Sequence, residues 1–244
     1  MPDIKQAKVL ILATDGFEET ELTVPQAKLR QAGATVHVAA PKSREKPESI
    51  RGWDKTDWGK NVAVDLDLEG VDPGAYDALV LPGGQINPDK LRLEPKALEV
   101  IKAFVTSGKV VAAICHAPWL LIEVGAAKGR DLTSFSSIRT DVINAGGRWH
   151  DREVVTDHGI VTSRNPGDLD AFSAKIIEEI AEGRHEPRSL AASSVVRTRR
   201  GRPPVGGRPF ACSETVARSA QRLATSAFCG FGFAPVVLAM SAER

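Results

Sequence analysis

Five apolar residues, Val110-Val111-Ala112-Ala113-Ile114, run without a break into Cys115-His116-Ala117-Pro118. A run this short, apolar at every position, is a strand covered on both faces, as strands of a parallel sheet are. A proline just beyond it suits the first turn of a helix. The chain must therefore pass from buried strand to helix within a few residues. That turn lifts the side chain of Cys115 at the carboxyl end of the sheet, where open α/β folds place their ligand sites.

The rest of the first 183 residues repeats this alternation. Val9 to Ala13 reads as a buried strand closed by Thr14-Asp15-Gly16. Glu18 to Gln31 has helical spacing, with Leu22, Ala27 and Leu29 inward and Gly33 as the stop. Thr35 to Ala39 is the next strand, so the chain opens β-α-β with a right-handed crossover. The charged stretch 42–61 is an excursion beside the sheet, and Val62 to Leu66 alternates as a short edge strand. Ala78 to Leu81 runs into the backbone-exposing turn Pro82-Gly83-Gly84, and Pro95 to Ser107 is a helix stopped by Gly108. After the helix that ends near Val124, Ile138 to Ala145 is helical. Glu153 to Thr156 and Ile160 to Thr162 form a hairpin around Asp157-His158-Gly159, and Leu169 to Ala181 closes the domain. Strands alternating with helices predict an α/β domain over residues 1–183, doubly wound, with a mostly parallel sheet sandwiched by helices.

Charge divides the chain at the same place. Residues 184–244 hold ten Arg, three Glu and no Lys, a net +7. With +1 overall, residues 1–183 carry −6. The segment 188–209 is rich in Arg, Ser, Gly and Pro, and the basic tail 184–244 is expected to be disordered. Arg199-Arg200-Gly201-Arg202-Pro203-Pro204 resembles a minor-groove AT-hook core, but a single low-complexity copy does not make nucleic acid an expected partner. The apolar stretch 227–240 is shorter than the roughly 20 residues that span a bilayer, and no membrane partner is expected. No secretory pattern opens the chain, and the three cysteines, Cys115, Cys212 and Cys229, are odd in number and far apart. Both features predict a reducing, cytoplasmic setting without a disulfide framework. No Cys/His spacing fits a zinc site, so neither metal nor cofactor is expected.

A lone cysteine is most often a small buried hydrophobe. Two features favour a reactive thiol here, the exposed turn and the adjacent His116. A helix N-terminus would also favour thiolate over thiol. Neighbouring side chains diverge, so the sequence leaves open whether His116 reaches the sulfur.

Five ordered segments carry a resemblance. They are Gly16-Phe17-Glu18-Glu19-Thr20-Glu21-Leu22, the run from Asp77 to Gly84, Ala113-Ile114-Cys115-His116-Ala117-Pro118, the run from Asp141 to Gly146, and the run from Val161 to Leu169. Over about Lys8 to Ala181 the chain resembles the DJ-1/PfpI superfamily, and most its PfpI branch of cysteine peptidase-like and deglycase-like proteins. The resemblance implies a flavodoxin-like or class I glutamine amidotransferase-like fold. It also implies Cys115 as nucleophile and Glu21 as the acid that hydrogen-bonds the sulfur, with Glu18 one turn earlier. His116 is implied as general base, and the N–H groups of Gly84 and His116 as an oxyanion hole. Asp89 matches an acid that orients the histidine from a neighbouring subunit, which implies a homo-oligomer, a dimer or a hexamer. The family's usual glycine after Cys-His is Ala117 here, and a tyrosine common near the pocket is Phe135. Trp58 with Gly59, and Trp119, are candidate pocket residues, with ordinary packing an equal alternative.

The implied activity is a cofactor-free cysteine hydrolase. Its substrates would be small aldehydes or their protein adducts, as in a deglycase or glyoxalase-like stress response. Intracellular peptide cleavage is the first alternative. The second is a non-catalytic redox-sensing or chaperone-like stress protein in which Cys115 is oxidised. The downstream His-x-Glu pair of amidotransferases is absent from the sequence.

Overall fold

The computed structural model describes residues 3–186 and 190. The basic tail, the AT-hook-like segment and the apolar stretch 227–240 lie outside the described residues.

Strand β1 (Lys8–Leu12) leads through the short β2 (Phe17–Glu18) into helix α1 (Glu19–Gln31), and β3 (Thr35–Ala40) follows. The excursion is a hairpin, β4 (Ser49–Asp54) and β5 (Asp57–Ala63), that pairs with β2 in a separate three-stranded sheet. Next come β6 (Leu66–Asp67), β7 (Ala78–Leu81), α2 (Ile86–Leu91), α3 (Pro95–Thr106), β8 (Val110–Ile114) and α4 (Pro118–Glu123). The chain continues through β9 (Asp131–Leu132), α5 (Arg139–Asn144), β10 (Arg148–Trp149), the hairpin β11 (Val154–Asp157) with β12 (Ile160–Ser163), and α6 (Leu169–Glu182). The main sheet runs β11-β12-β8-β7-β1-β3-β6, and every pair is parallel except β11 with β12. The predicted mostly parallel, helix-covered sheet is present. The edge strand expected over 62–66 is instead split between the end of β5 and β6.

Period-two alternation explains why the central strands are apolar throughout. Leu10, Leu12, Leu79, Leu81, Val111 and Ala113 face one core, filled by Val100, Ile101 and Phe104 of α3 and Leu120 and Leu121 of α4. Val9, Ile11, Val80, Ala112 and Ile114 face a second core with Leu22 and Leu29 of α1 and Phe172 and Ile176 of α6. Each strand thus supplies both cores, and no position is left for a polar side chain.

Helix α1 departs from its expected stripe. Ala27 is exposed, and Pro25 takes the inward position with Glu21, Leu22 and Leu29. Pro25 has no N–H to return to the Glu21 carbonyl, so that one backbone hydrogen bond is missing while α1 runs on to Gln31.

Phe104 is fully buried in the α3 layer. Phe104→Ala should cost about 3–5 kcal/mol, read as a lowered urea midpoint with an unchanged slope.

Candidate active site

Cys115 stands between β8 and α4 with φ +62. A non-glycine residue held in this left-handed region stores about 1–3 kcal/mol of strain. The surroundings hold it there. The Cys115 N–H donates to the Ser163 carbonyl at 3.0 Å, and the Cys115 carbonyl accepts the Phe135 N–H at 2.8 Å. The Ala117 N–H then closes the turn onto the Ile114 carbonyl at 2.9 Å. Since Cys115 takes the left-handed conformation, Ala117 returns to φ −58 and buries its methyl group in the core. The departure from glycine at this position therefore requires no unusual backbone.

The loop after β7 faces the thiol. A side-chain Cβ at Gly83 would lie 2.6 Å from both the Cys115 Cβ and Glu21 Oε2. Gly84 has φ +79, and a Cβ there would lie 2.6 Å from the Gly16 carbonyl oxygen. Only glycine allows so close an approach. Buried Asn87 fixes the loop by accepting the Thr14 N–H at 2.7 Å and donating to the Pro82 carbonyl at 2.8 Å. Asn87 carries no chemistry and was missed in the sequence for that reason.

Glu21 is 0% exposed. Its Oε2 accepts the Gly83 N–H at 2.8 Å, and Oε1 is buried without a hydrogen bond. The carboxyl also lies against the Cys115 side chain. Burial pushes Glu21 up to about 8, so it keeps its proton at neutral pH. Burial is also the largest influence on Cys115 and pushes the thiol up, and an ionised Glu21 pushes the same way. The N–H groups of Gly84 and His116, both directed at the sulfur, oppose this. The sequence expectation was that the α4 terminus favours thiolate, and burial of the sulfur works against it. A protonated Glu21 removes the repulsion and can donate to sulfur as negative charge forms there.

His116 does reach the sulfur, with Nδ1 3.2 Å from Sγ. Its ring is stacked on Phe135 at 4.9 Å between centroids and tilted against Trp119 at 5.2 Å. Burial pushes the imidazole below its ordinary range, so it is neutral at neutral pH. Its other nitrogen, Nε2, lies 3.1 Å from Ser137 Oγ, a contact that no motif spacing announced.

These groups line an open pocket of about 580 Å³. Glu18 is on its wall, its carboxyl raised by burial and then by Asp54. Trp53 and Lys55 supply the rim from the β4–β5 hairpin. Trp58 does not line it. It packs edge-on against Trp53 at 5.6 Å, and Gly59 is there to let the Glu19 carboxylate approach the hairpin and accept the Lys60 N–H at 2.7 Å. Trp119 lies behind His116, its indole N–H donating to Asp141 at 2.7 Å. Asp89 is exposed on α2 and is not among the residues lining the pocket. Among the described residues, one group could hold a metal ion, Glu179, Glu182 and His185, with ligand atoms within 4.8 Å of one another. His185 there already pairs with Glu179 at 3.0 Å. The group spans the last turn of α6 and the residues just after it, where the His185 N–H bonds the Gly108 carbonyl just before β8, at the end of that strand away from Cys115.

The buried carboxyl makes stability pH-dependent. Between its ordinary 4.5 and about 8, folded Glu21 keeps a proton that the unfolded chain releases. Folded protein is then the more protonated state, and stability falls as pH rises through this window. Glu21→Gln retains an acceptor for Gly83 without the titration. Urea unfolding at pH 5 and pH 8.5 should show the variant gaining on wild type at the higher pH. An unchanged difference would mean that Glu21 is ionised throughout.

Residues 7–179 match the DJ-1/PfpI family. Deglycase PfpI of Pyrococcus furiosus is 44% identical over 171 residues, which covers 70% of this chain and 98% of that protein. Protein/nucleic acid deglycase 2 of Escherichia coli is 39% identical over 171 residues, covering 70% of this chain and 95% of that protein. The crystal structure of Drosophila melanogaster DJ-1beta matches with a TM-score of 0.64 at 29% identity, over 72% of this chain and 95% of that one. The family match, the relatives and the solved structure agree, and the chain belongs to the DJ-1/PfpI family.

Proposed function

We propose that the protein is a cysteine-dependent hydrolase that repairs methylglyoxal or glyoxal adducts, in the manner of a deglycase or glyoxalase, during stress. The observation that carries this reading is the convergence on Cys115 Sγ of four groups, the Glu21 carboxyl, the His116 ring and the N–H groups of Gly84 and His116. The names of the relatives, two of them deglycases, support hydrolase-type chemistry.

With methylglyoxal, the Cys115 thiol gives its proton to His116 Nδ1 while sulfur attacks the aldehyde carbon. The aldehyde oxygen takes up negative charge between the N–H groups of Gly84 and His116, and the imidazolium returns the proton to give a hemithioacetal. The hydrogen on that carbon then leaves as a proton and is returned to the neighbouring carbon. As the hydroxyl proton of the hemithioacetal passes to the ketone oxygen, the first carbon rises to a thioester and the ketone becomes an alcohol. Glu21 and Glu18 are the carboxyl groups at hand for this transfer. Water cleaves the thioester, releasing lactate and the thiol. No external oxidant is needed, because one carbon is oxidised as its neighbour is reduced.

The 3.2 Å contact between Cys115 and His116 favours a second reading, peptide cleavage, since acyl transfer needs such a pair. In either case the exposed Asp89 is free to serve a neighbouring subunit of a homo-oligomer, and the setting proposed is the cytoplasm. Among the described residues, no helix is long and apolar enough to cross a membrane. The domain boundary near residue 183, with the basic tail beyond it, is part of the same proposal.

The test is lactate formation from methylglyoxal by the full chain beside Cys115→Ala. Wild type should produce lactate, and the variant should lose about a hundredfold or more. Cleavage of an unstructured peptide without lactate would support the peptidase reading. Oxidation of Cys115 without turnover of either substrate would support a redox sensor.

A further inference from the structure

Nothing in its stacking tells His116 which way round to sit. Phe135 and Trp119 contact the faces of the ring. A half-turn about the ring's attachment would keep both contacts while presenting a carbon to the sulfur. The polar contacts on the ring edge must therefore choose the orientation, and there are two of them, Cys115 Sγ at Nδ1 and Ser137 Oγ at Nε2. Both ring positions carry no charge at rest, so one nitrogen holds a proton and the other does not.

We propose that Ser137 is a positioning residue that acts through His116, its Oγ accepting the Nε2 proton so that a bare Nδ1 faces the Cys115 thiol. The proposal deepens the hydrolase reading above and rests on it for its catalytic meaning. The thiol can give its proton only to an unprotonated nitrogen, so the tautomer matters. When the S–H bond breaks and the Nδ1–H bond forms, the ring becomes an imidazolium with protons on both nitrogens. The bond from Nε2 to Ser137 then becomes charge-assisted and stronger. The hydroxyl thus favours the ion pair over the neutral pair. Ser137 sits in the 3-10 turn Ser136–Ile138, directly after Phe135. The Phe135 N–H is the group that holds the Cys115 carbonyl. One short segment therefore fixes the backbone of the nucleophile, one face of the base and its distal nitrogen. Ser137 is at the surface, so the base is oriented within the same chain, before any neighbouring subunit is considered.

Two measurements on the full chain, neither using a substrate, test this. The first is the imidazole nitrogen spectrum of histidine-labelled protein, with the His116 signal identified by its loss in His116→Asn. Wild type should show His116 protonated at Nε2, Ser137→Ala should show a mixture of tautomers, and Ser137→Thr should restore the wild-type signal. The second is the rate of iodoacetamide alkylation at Cys115, mapped by peptide mass. It should fall about fivefold in Ser137→Ala, the effect of one hydrogen bond, and recover in Ser137→Thr. A wild-type ring protonated at Nδ1 would overturn the proposal, whatever the variants do. So would an unchanged alkylation rate in Ser137→Ala, or a loss that threonine fails to rescue. Failure of wild type to form lactate, with these results as expected, would sink the substrate reading and leave the role of Ser137 standing.

Discussion

The left-handed turn at Cys115 is the constraint around which the structure is arranged. A residue with a side chain does not stay at φ +62 on its own account. It stays because β12 holds its N–H, the segment before Ser137 holds its carbonyl, and β8 and α4 are each packed in place. The reward is position. The sulfur is lifted off the sheet into a pocket where two main-chain N–H groups and a buried carboxyl are already aimed at it. Stability elsewhere in the domain, from both faces of the sheet, maintains strain at this one residue.

The same burial that shapes the site sets its protons. A thiol and a carboxyl enclosed together cannot both be ionised, and here both are pushed upward. The resting site is accordingly neutral, with thiol, protonated carboxyl and unprotonated imidazole. Charge develops only when an electrophile arrives, and the donors are in place beforehand. That economy is what the carbonyl chemistry proposed above would require, with the substrate oxygen taking up the negative charge.

Much of this was legible in the sequence because it is local. An all-apolar run ending in Cys-His, and a second ending in Pro-Gly-Gly, state which strands end at the site and where backbone must be bare. Glu21 was legible through its motif. What could not be read depends on contacts between distant segments. A helix terminus that favours thiolate is visible in the sequence, whereas desolvation, which works against it, is a property of the folded surroundings. Trp53 lines the pocket and its cross-strand partner Trp58, the candidate named from the sequence, does not, because nothing in the sequence says which of the two turns toward it. Ala27 has the spacing of an inward residue, yet Pro25 takes the buried position and Ala27 is exposed. Asn87 and Ser137 have no signature at all, since each acts through a single contact made across the fold.

The two donors that face the sulfur are peptide N–H groups, one of them belonging to the same residue that supplies the imidazole. Replacing the His116 side chain would remove the imidazole and leave that N–H where it is. The capacity to hold an anion and the capacity to move a proton therefore rest on different parts of the chain, the first on backbone and the second on a side chain. A lineage in which the histidine drifts would keep a thiol beside an anion cradle. Such a molecule is poorly equipped for turnover but still able to hold an oxidised sulfur. Passage between enzyme and sensor within one fold would then require only a change of side chain.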